Sequence, residues 1–272
     1  MGWAKYLEDI ASRHNGTSLV QRQLQKEIRR DARPTSPAAP ASARLNMRGQ
    51  ENMSKLKDFV VATARPLPVI VLADVSGSMS ANGKIDVLND AVSEMIATFA
   101  EEDDTRAEIH VSVIAFGGGD ASVHRPLRPA RETRWESMSA SGRTPMGKAF
   151  ELARAMVEDR ETVPSRAYRP TLVLLSDGVP TDDWRTPLAK LLKSERASKA
   201  TRFAMGIGAD AHHETLLAFL ANDEGRVFEA HEARAIKNFF RWVTMSVTTR
   251  SRSANPNSVV MVDPTDLDEF DF

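Results

Sequence analysis

Apolar and polar positions along residues 66–250 predict strands and helices in alternation. Short uninterrupted apolar runs are typical of strands with both faces covered, and apolar positions three or four residues apart are typical of helices with one buried face. The predicted strands are 68–73, 109–116, 121–127, 171–176, 202–207 and 226–229. The predicted helices are 86–101, 145–158, 184–195, 212–221 and 231–248.

This alternation predicts an α/β domain over residues 66–250, with a doubly wound, mostly parallel sheet that has helices on both faces. One connection in this alternation joins two strands without a helix between them. Gly117-Gly-Gly-Asp120 is a short, glycine-rich segment between two strand patterns, so it predicts a hairpin. The strand that follows this hairpin is therefore expected to be antiparallel to the strand before it.

Three segments that precede the alternating region predict an appendage to it. Residues 1–33 predict a helical extension of two short helices, each with an apolar stripe. Residues 34–49 are rich in proline, alanine and serine, which is typical of a linker. Residues 50–65 allow one further helix that leads into the main domain.

The C-terminal segment 251–272 changes from polar to acidic and allows more than one interpretation. Its apolar run Val259–Val262 is compatible with an edge strand or with docking on a partner. Phe270 and Phe272 lie among acidic residues and are candidate anchors for a basic-rimmed groove of a partner. The alternative is a solvated acidic tail.

Composition narrows the class of protein. The 272 residues, 42% of them hydrophobic, are enough for one sizeable core. The chain has no cysteine, which excludes disulfides and thiolate metal sites, and its net charge of −1 gives no general attraction to nucleic acid or to a membrane. We find no signal-peptide pattern and no apolar run long enough to span a bilayer. We therefore expect a cytoplasmic protein with no membrane partner and no nucleic-acid partner.

Oxygen-bearing side chains follow two of the apolar runs and precede one helix. A carboxylate and two hydroxyls alternate directly after the run 69–73, a threonine precedes the helix 145–158, and an aspartate follows the strand 171–176. Open α/β sheets place their ligands at the carboxyl ends of strands, so these side chains are expected to meet. Oxygen ligands suit Mg²⁺ or Mn²⁺ and not zinc. The candidate metal ligands are Asp74, Ser76, Ser78, Thr144 and Asp177.

Each of these residues also has a simpler interpretation. Asp, Ser and Gly are common in turns, so both the Asp74 segment and the Asp177-Gly178 pair are compatible with ordinary turns after strands. Thr144 is equally suited to cap the helix that follows it. The three separated matches together favour the metal site.

These residues resemble the von Willebrand factor A family and its metal-ion-dependent adhesion site. The family pattern is Asp-x-Ser-x-Ser followed by a distant Thr and a distant Asp, which this sequence matches from Asp74 to Asp177. The resemblance implies a Rossmann-like sheet of five parallel strands and one antiparallel strand. It also implies direct coordination by the serines and the threonine, with the aspartates acting largely through water. Within the family, the chain is most similar to bacterial intracellular proteins of the tellurite-resistance type.

The function implied by this resemblance is metal-dependent protein binding by a non-enzymatic adaptor. An Asp or Glu of a partner would complete the coordination of Mg²⁺. Relatives of this type act beside kinases, phosphatases or AAA+ ATPases in stress-response, metal-resistance or defence complexes. Two alternatives stay open: a metal-dependent phosphohydrolase, and a structural subunit with a vestigial metal site.

Three further residues near the predicted site are candidates for contact with the partner. Arg143 precedes Thr144, and its guanidinium suits a carboxylate, although a solvated side chain is equally compatible. Asp183 and Trp184 follow the Asp177 loop. Trp184 is expected on the partner face, and Asp183 is also suited to cap the next helix.

Overall fold

The computed structural model describes residues 64–102, 106–221, 227–230 and 233–257. All of them belong to the second of the two units into which the chain divides, Phe59–Phe272. The expectations for the helical extension 1–33, the linker 34–49, the run Val259–Val262 and the anchors Phe270 and Phe272 lie outside the described residues. So do residues 50–63 of the segment that allowed one further helix.

A six-stranded sheet forms the centre of the described domain, with the strand order β3-β2-β1-β4-β5-β6. Only the β2–β3 pair is antiparallel. This sheet confirms the predicted doubly wound, mostly parallel α/β fold, with the hairpin supplying the antiparallel strand. The strands are β1 (Arg65–Asp74), β2 (Ala107–Gly117), β3 (Asp120–Pro129), β4 (Thr171–Ser176), β5 (Thr201–Ile207) and β6 (Val227–Ala230).

Helices cover both faces of the sheet and enclose two cores. Side chains of β1 alternate between them: Val69 and Val71 face one core, and Ile70 and Leu72 face the other. Helices α1 and α5 pack in the first core, and α2, α3 and α4 pack in the second. Both faces are therefore sealed by apolar contacts. The helices are α1 (Lys84–Ala100), α2 (Met146–Glu158), α3 (Arg185–Lys193), α4 (His213–Leu220) and α5 (Ala233–Arg252).

Element boundaries differ from the predicted ones where the chain turns. Strand β1 begins at Arg65, which the sequence placed in a possible helix, and it ends at Asp74 itself. A 3₁₀ segment, Gly77–Gly83, follows, and α1 begins at Lys84 rather than at residue 86. Within the described ranges, no helix is both long enough and apolar enough to cross a membrane.

The chain order around β1 creates a crevice at one edge of the sheet. The connection from β1 leads through α1 to β2 on one side, whereas α2 leads to β4 on the other side of β1. The loops after β1 and β4 therefore diverge at the carboxyl ends of two adjacent strands. Ligands of open α/β sheets bind at such switch points.

Candidate metal centre

Asp74 is the last residue of β1, and it is fully buried at the carboxyl edge of the sheet. Its Oδ1 accepts a hydrogen bond from the Ser76 backbone N–H at 2.8 Å. Its Oδ2 accepts one from the Ser176 hydroxyl of β4 at 2.5 Å. The carboxylate is thus fixed from its own loop and from the neighbouring strand.

The two serines connect Asp74 to the second candidate aspartate. The Oγ atoms of Ser76 and Ser78 lie 3.1 Å apart. The Ser78 hydroxyl donates a hydrogen bond to Asp177 Oδ1 at 2.6 Å. Ser78 is exposed, whereas Ser76 is buried, so the cluster reaches solvent at Ser78. Four of the five candidate ligands therefore form one connected group.

Thr144 is held beside this group by the loop after β4. Its backbone N–H donates to the Thr181 hydroxyl at 3.2 Å, and its carbonyl accepts from the Thr181 N–H at 3.0 Å. A Cβ placed on Gly178 would lie 3.5 Å from Thr144 Oγ1 and 3.8 Å from Ser78 Oγ. The two hydroxyls therefore border the same small space, which the absence of a side chain at Gly178 leaves open.

The Thr144 hydroxyl does not cap α2, which was the alternative interpretation of this residue. The first-turn N–H groups of Gly147 and Lys148 donate to the Asp182 carboxylate at 2.9 and 3.0 Å. Within the described residues, the Thr144 hydroxyl makes no hydrogen bond. Asp182 thus serves the start of α2, a function for this residue that the sequence reasoning missed.

The loop before Thr144 depends on a glycine for its approach to the hairpin. Gly142 has a φ of +66°, and its carbonyl accepts a hydrogen bond from the Gly77 N–H of the neighbouring β1 loop at 3.0 Å. A Cβ on Gly142 would collide with the backbone of Gly118. Only a glycine allows both the positive φ and the close approach to Gly118, and it brings the Thr144 loop against the β1 loop.

The burial of Asp74 disfavours the charged form of its carboxylate. Burial raises the pKa of Asp74 to about 6, an effect that the hydrogen bonds from Ser176 and Ser76 only partly offset. A desolvated carboxylate of this kind is stabilised by a nearby cation. This electrostatic environment suits a cation-binding site.

Lys84 is a member of the site that the sequence reasoning missed. Its ammonium lies 2.8 Å from Asp177 Oδ2. The available signal was its position, since a basic residue at the start of a helix opposes the helix dipole. Ser176 was missed as well, although it directly precedes Asp177 at the end of an apolar strand.

The candidate partner contacts differ in their exposure. Arg143 is exposed beside Thr144, as a contact residue must be. Asp183 is also exposed, but its Oδ1 accepts from the N–H groups of Arg185 and Thr186 at 3.1 and 3.3 Å, which caps α3. The pKa of Asp183 is lowered, mainly by the hydrogen bonds that Thr186 donates to its carboxylate. Asp183 therefore has the capping position that the sequence suggested.

The expectation for Trp184 is corrected by its burial. Only 8% of the residue is exposed, and it packs in the core that α2, α3 and α4 share. Its ring meets that of His212 edge to face at 6.1 Å between centroids, and the Arg185 guanidinium lies 4.5 Å from the ring centroid. Its position after the Asp177 loop suggested the partner face, but the indole packs with Leu188 and Leu191 of α3 in the core.

The donor set fits a hard divalent cation. All five candidate ligands offer oxygen, from two carboxylates and three hydroxyls, which Mg²⁺ prefers. The described residues contain no cluster of three or more His, Cys, Asp or Glu side chains able to hold a metal. A metal at this edge of the sheet would therefore depend on the hydroxyls for most of its protein ligands.

Comparison with known sequences gives a family match for the central part of the chain. The sequence profile of the von Willebrand factor type A domain matches residues 69–179, a range that includes all five candidate ligands. Uncharacterized protein Rv2850c of Mycobacterium tuberculosis is 31% identical over 115 residues, which is 40% of this chain and 17% of that protein. The match thus spans only a small part of this relative.

Solved structures share the fold at low sequence identity. A von Willebrand factor type A protein from Catenulispora acidiphila has a TM-score of 0.52 at 22% identity, covering 67% of this chain and 42% of that chain. Proximal thread matrix protein 1 from the mussel byssus, with a zinc-occupied MIDAS motif, has a TM-score of 0.51 at 16% identity, covering 67% and 48%. The pilus adhesin SpaC from Lactobacillus rhamnosus GG, in its open conformation, has a TM-score of 0.54 at 16% identity, covering 68% and 30%. The described domain therefore has the von Willebrand factor A fold, and residues 69–179 match that family.

Proposed function

We propose that this chain is a metal-dependent protein-binding adaptor. In this proposal Mg²⁺, or Mn²⁺ in its place, is held by Asp74, Ser76, Ser78, Thr144 and Asp177, and an Asp or Glu of a partner protein completes the site. The observation that carries the proposal is the convergence of these side chains, from three separate segments, at one edge of the sheet. The zinc-occupied site named for the mussel protein supports a divalent metal in this fold.

The hydrogen bonds suit this function because they orient the hydroxyl oxygens. The Ser78 proton is directed to Asp177, so Ser78 Oγ accepts from the Ser76 hydroxyl with one lone pair and keeps the other for a cation in the space beside Gly178. In this proposal the carboxylates orient the hydroxyls by accepting hydrogen bonds, and the hydroxyl oxygens provide the direct metal ligands. When bound, Mg²⁺ would supply an open coordination position for a carboxylate oxygen.

The surroundings of the cluster indicate the chemistry of the partner. Arg143 is exposed on one side, where its guanidinium suits a carboxylate. Val179, directly after Gly178, is 58% exposed and is one of the few large apolar side chains on the surface of the described domain. We therefore propose an acidic residue with an apolar neighbour as the recognised feature.

The proposal extends to the cellular setting suggested by the resemblance. We propose that the partner is a kinase, a phosphatase or an AAA+ ATPase in a bacterial stress-response, metal-resistance or defence complex of the tellurite-resistance type. A cytoplasmic location is in keeping with a chain that has no cysteine.

We assign no reaction to this site. A phosphohydrolase that used Asp74 as its nucleophile would need this carboxylate to reach a phosphorus atom, but Asp74 is fully buried and is held in place by the Ser76 N–H and the Ser176 hydroxyl. The described histidines have partners of their own: His110 with Glu108, His124 with Glu136, His212 with Thr215 and His213 with Glu229. None of these partners is a candidate metal ligand, so the described histidines offer no general base at the site, which favours binding over catalysis.

Titration calorimetry with Mg²⁺ tests the metal step. Wild-type protein is expected to bind Mg²⁺, and Ser76→Ala is expected to weaken binding at least about tenfold because a neutral oxygen ligand is lost. Ser80→Ala is the matched control, since the Ser80 hydroxyl belongs to the same loop but donates to the Gly77 carbonyl. Equal binding by wild type and Ser76→Ala would contradict the proposed ligand set.

A pull-down from the native host, with and without EDTA, tests the partner step. Partners that depend on the metal site should be lost both with EDTA and with Asp74→Ala, and should be retained by Ser80→Ala. An unchanged set of partners would exclude metal-bridged binding. Loss of phosphate release by the same variants, without loss of a partner, would instead support the phosphohydrolase alternative.

A further inference from the structure

The ammonium of Lys84 already occupies a position where a cation would neutralise Asp177. Nζ lies 2.8 Å from Asp177 Oδ2, and the carboxylate itself is fully buried. The lysine side chain is 20% exposed, so it reaches inward from the surface. A Cβ placed on Gly208 would lie 3.6 Å from Nζ, so the ammonium lies close to the loop after β5.

The position of Lys84 in the chain makes this contact more than a chance surface pair. Lys84 is the first residue of α1, where the partial positive charge of the helix opposes a cation. Gly83, directly before it, has a φ of +67°, and this turn starts the helix at Lys84. The ion pair with Asp177 compensates for an electrostatically unfavourable location.

Both oxygens of Asp177 are engaged in this arrangement. Oδ1 accepts from Ser78 and Oδ2 accepts from Lys84. A divalent cation that interacts with Asp177 must therefore either displace the ammonium or bind beside a positive charge. Either event lowers the affinity of the site for the metal, because like charges at this separation repel.

We propose that Lys84 is a tethered cation that competes with the divalent metal for Asp177 and thereby sets the metal affinity of the site. This inference rests on the proposed metal-binding function. A lysine that merely held Asp177 in place for the metal would have the opposite effect, since its removal would weaken binding. The sign of the change in affinity separates the two functions of the residue.

Calorimetric titration of the full chain with Mg²⁺ measures that sign. Lys84→Gln is expected to bind Mg²⁺ about tenfold more tightly than wild type, because a positive charge beside the cation is removed. Lys84→Arg keeps the charge and should bind within about twofold of wild type. Lys84→Met, which keeps an unbranched side chain, provides the same test if the glutamine variant does not fold.

Lys148→Gln is the matched control for net charge. Its ammonium pairs with Asp120 at 2.9 Å, both side chains are largely exposed, and neither is a candidate ligand. This variant loses the same charge as Lys84→Gln, yet it should keep the wild-type Mg²⁺ affinity within about twofold, since exposed charges are screened. An equal gain in both variants would overturn the specific effect of Lys84.

Thermal unfolding gives a second measurement that does not depend on a partner. In EDTA, Lys84→Gln should unfold at a lower temperature than wild type, because Asp177 loses its counter-charge. With saturating Mg²⁺ the variant should gain more stability than wild type gains. Unchanged or weaker Mg²⁺ binding by Lys84→Gln, with wild type binding normally, would overturn this inference and leave the proposed function intact. Absence of Mg²⁺ binding by wild type would overturn both.

Discussion

The two edges of the sheet both bury charge, but they neutralise it differently. At the edge where the strands begin, the Arg250 guanidinium is 1% exposed and donates to three neutral oxygens. These are the Pro256 carbonyl at 3.1 Å, the Thr171 hydroxyl at 2.7 Å and the Arg169 carbonyl at 3.1 Å. At the edge where the strands end, two buried carboxylates share a few hydroxyls and one ammonium.

The difference distinguishes a structural charge from the charge of the proposed metal site. Burial lowers the pKa of Arg250 to about 10, with a smaller contribution from Arg169, so the guanidinium stays charged at neutral pH. Its donors are matched by acceptors that belong to the backbone and to β4. Asp74, by contrast, has a pKa raised to about 6. A buried charge with fixed partners stabilises the fold, whereas one that lacks counter-charge provides the free energy for binding a cation.

The largest effect on stability is expected at the Arg250 end. Arg250→Met would leave two carbonyls and the Thr171 hydroxyl without their donor, so we expect the free energy of unfolding to fall by about 3 kcal/mol or more. Urea unfolding followed by circular dichroism measures the change. Mg²⁺ affinity, measured at a temperature where the variant is folded, should stay within about twofold of wild type, because the two edges share no hydrogen bond.

Arg252→Met provides the control on the same helix. Arg252 forms a two-pronged pair with Glu102, at 2.9 and 2.7 Å, but its own side chain is about half exposed. The Glu102 side chain is only 11% exposed, but it gains access to water when Arg252 is shortened, so the free energy of unfolding is expected to fall by about 1 kcal/mol, less than at Arg250. Equal losses for the two variants would contradict the distinction between the buried and the surface arginine.

The next largest effect concerns Asp74, and its sign depends on the metal. The folded state holds the Asp74 proton up to about pH 6, whereas an unfolded aspartate has a pKa of 3.8. The unfolding free energy of the metal-free protein therefore receives a contribution that falls as the pH rises from about 4 to about 6. Asp74→Asn removes this contribution and should stabilise the metal-free protein at pH 7 by about 1–2 kcal/mol.

With Mg²⁺ present, the same variant should be less stable than wild type, because it no longer gains free energy from the metal. Urea unfolding from pH 4.5 to pH 8, in EDTA and in Mg²⁺, measures both signs. Asp120→Asn is the control, since Lys148 lowers the pKa of this exposed carboxylate and leaves nothing to titrate near pH 6. Destabilisation of Asp74→Asn in EDTA would show that the hydrogen bonds of Asp74 outweigh its burial.

The sequence predicted those parts of the site that depend on local pattern. An apolar run followed by Asp74 defines the end of β1, and the parallel pairing of β1 with β4 then brings Asp177 to the same edge. The sequence did not predict Lys84 as a site residue, because its contact with Asp177 spans 93 residues and depends on where the 3₁₀ turn ends. Trp184 was misplaced because its burial depends on the packing of α3 against His212, which no local pattern reports.

The smallest effect is expected at Gly178, where shape and not charge is changed. Gly178→Ala should fold normally, since its φ is not positive and the new methyl group would meet Thr144 Oγ1 and Ser78 Oγ at ordinary contact distances of 3.5 and 3.8 Å. The free energy of unfolding should change by less than about 0.5 kcal/mol. The methyl group would nevertheless enter the space that the two hydroxyls border, so Mg²⁺ affinity should fall about three- to tenfold.

Gly119→Ala is the matched control for Gly178→Ala, because a Cβ at Gly119 meets nothing within 4 Å. Calorimetric titration of both variants with Mg²⁺ should show weaker binding only for Gly178→Ala. Undiminished binding by Gly178→Ala would place the cation away from the space between Thr144 and Ser78. Weaker binding with unchanged stability would show that this edge keeps an open space for a ligand, which distinguishes it from the filled hydrogen-bonding positions around Arg250.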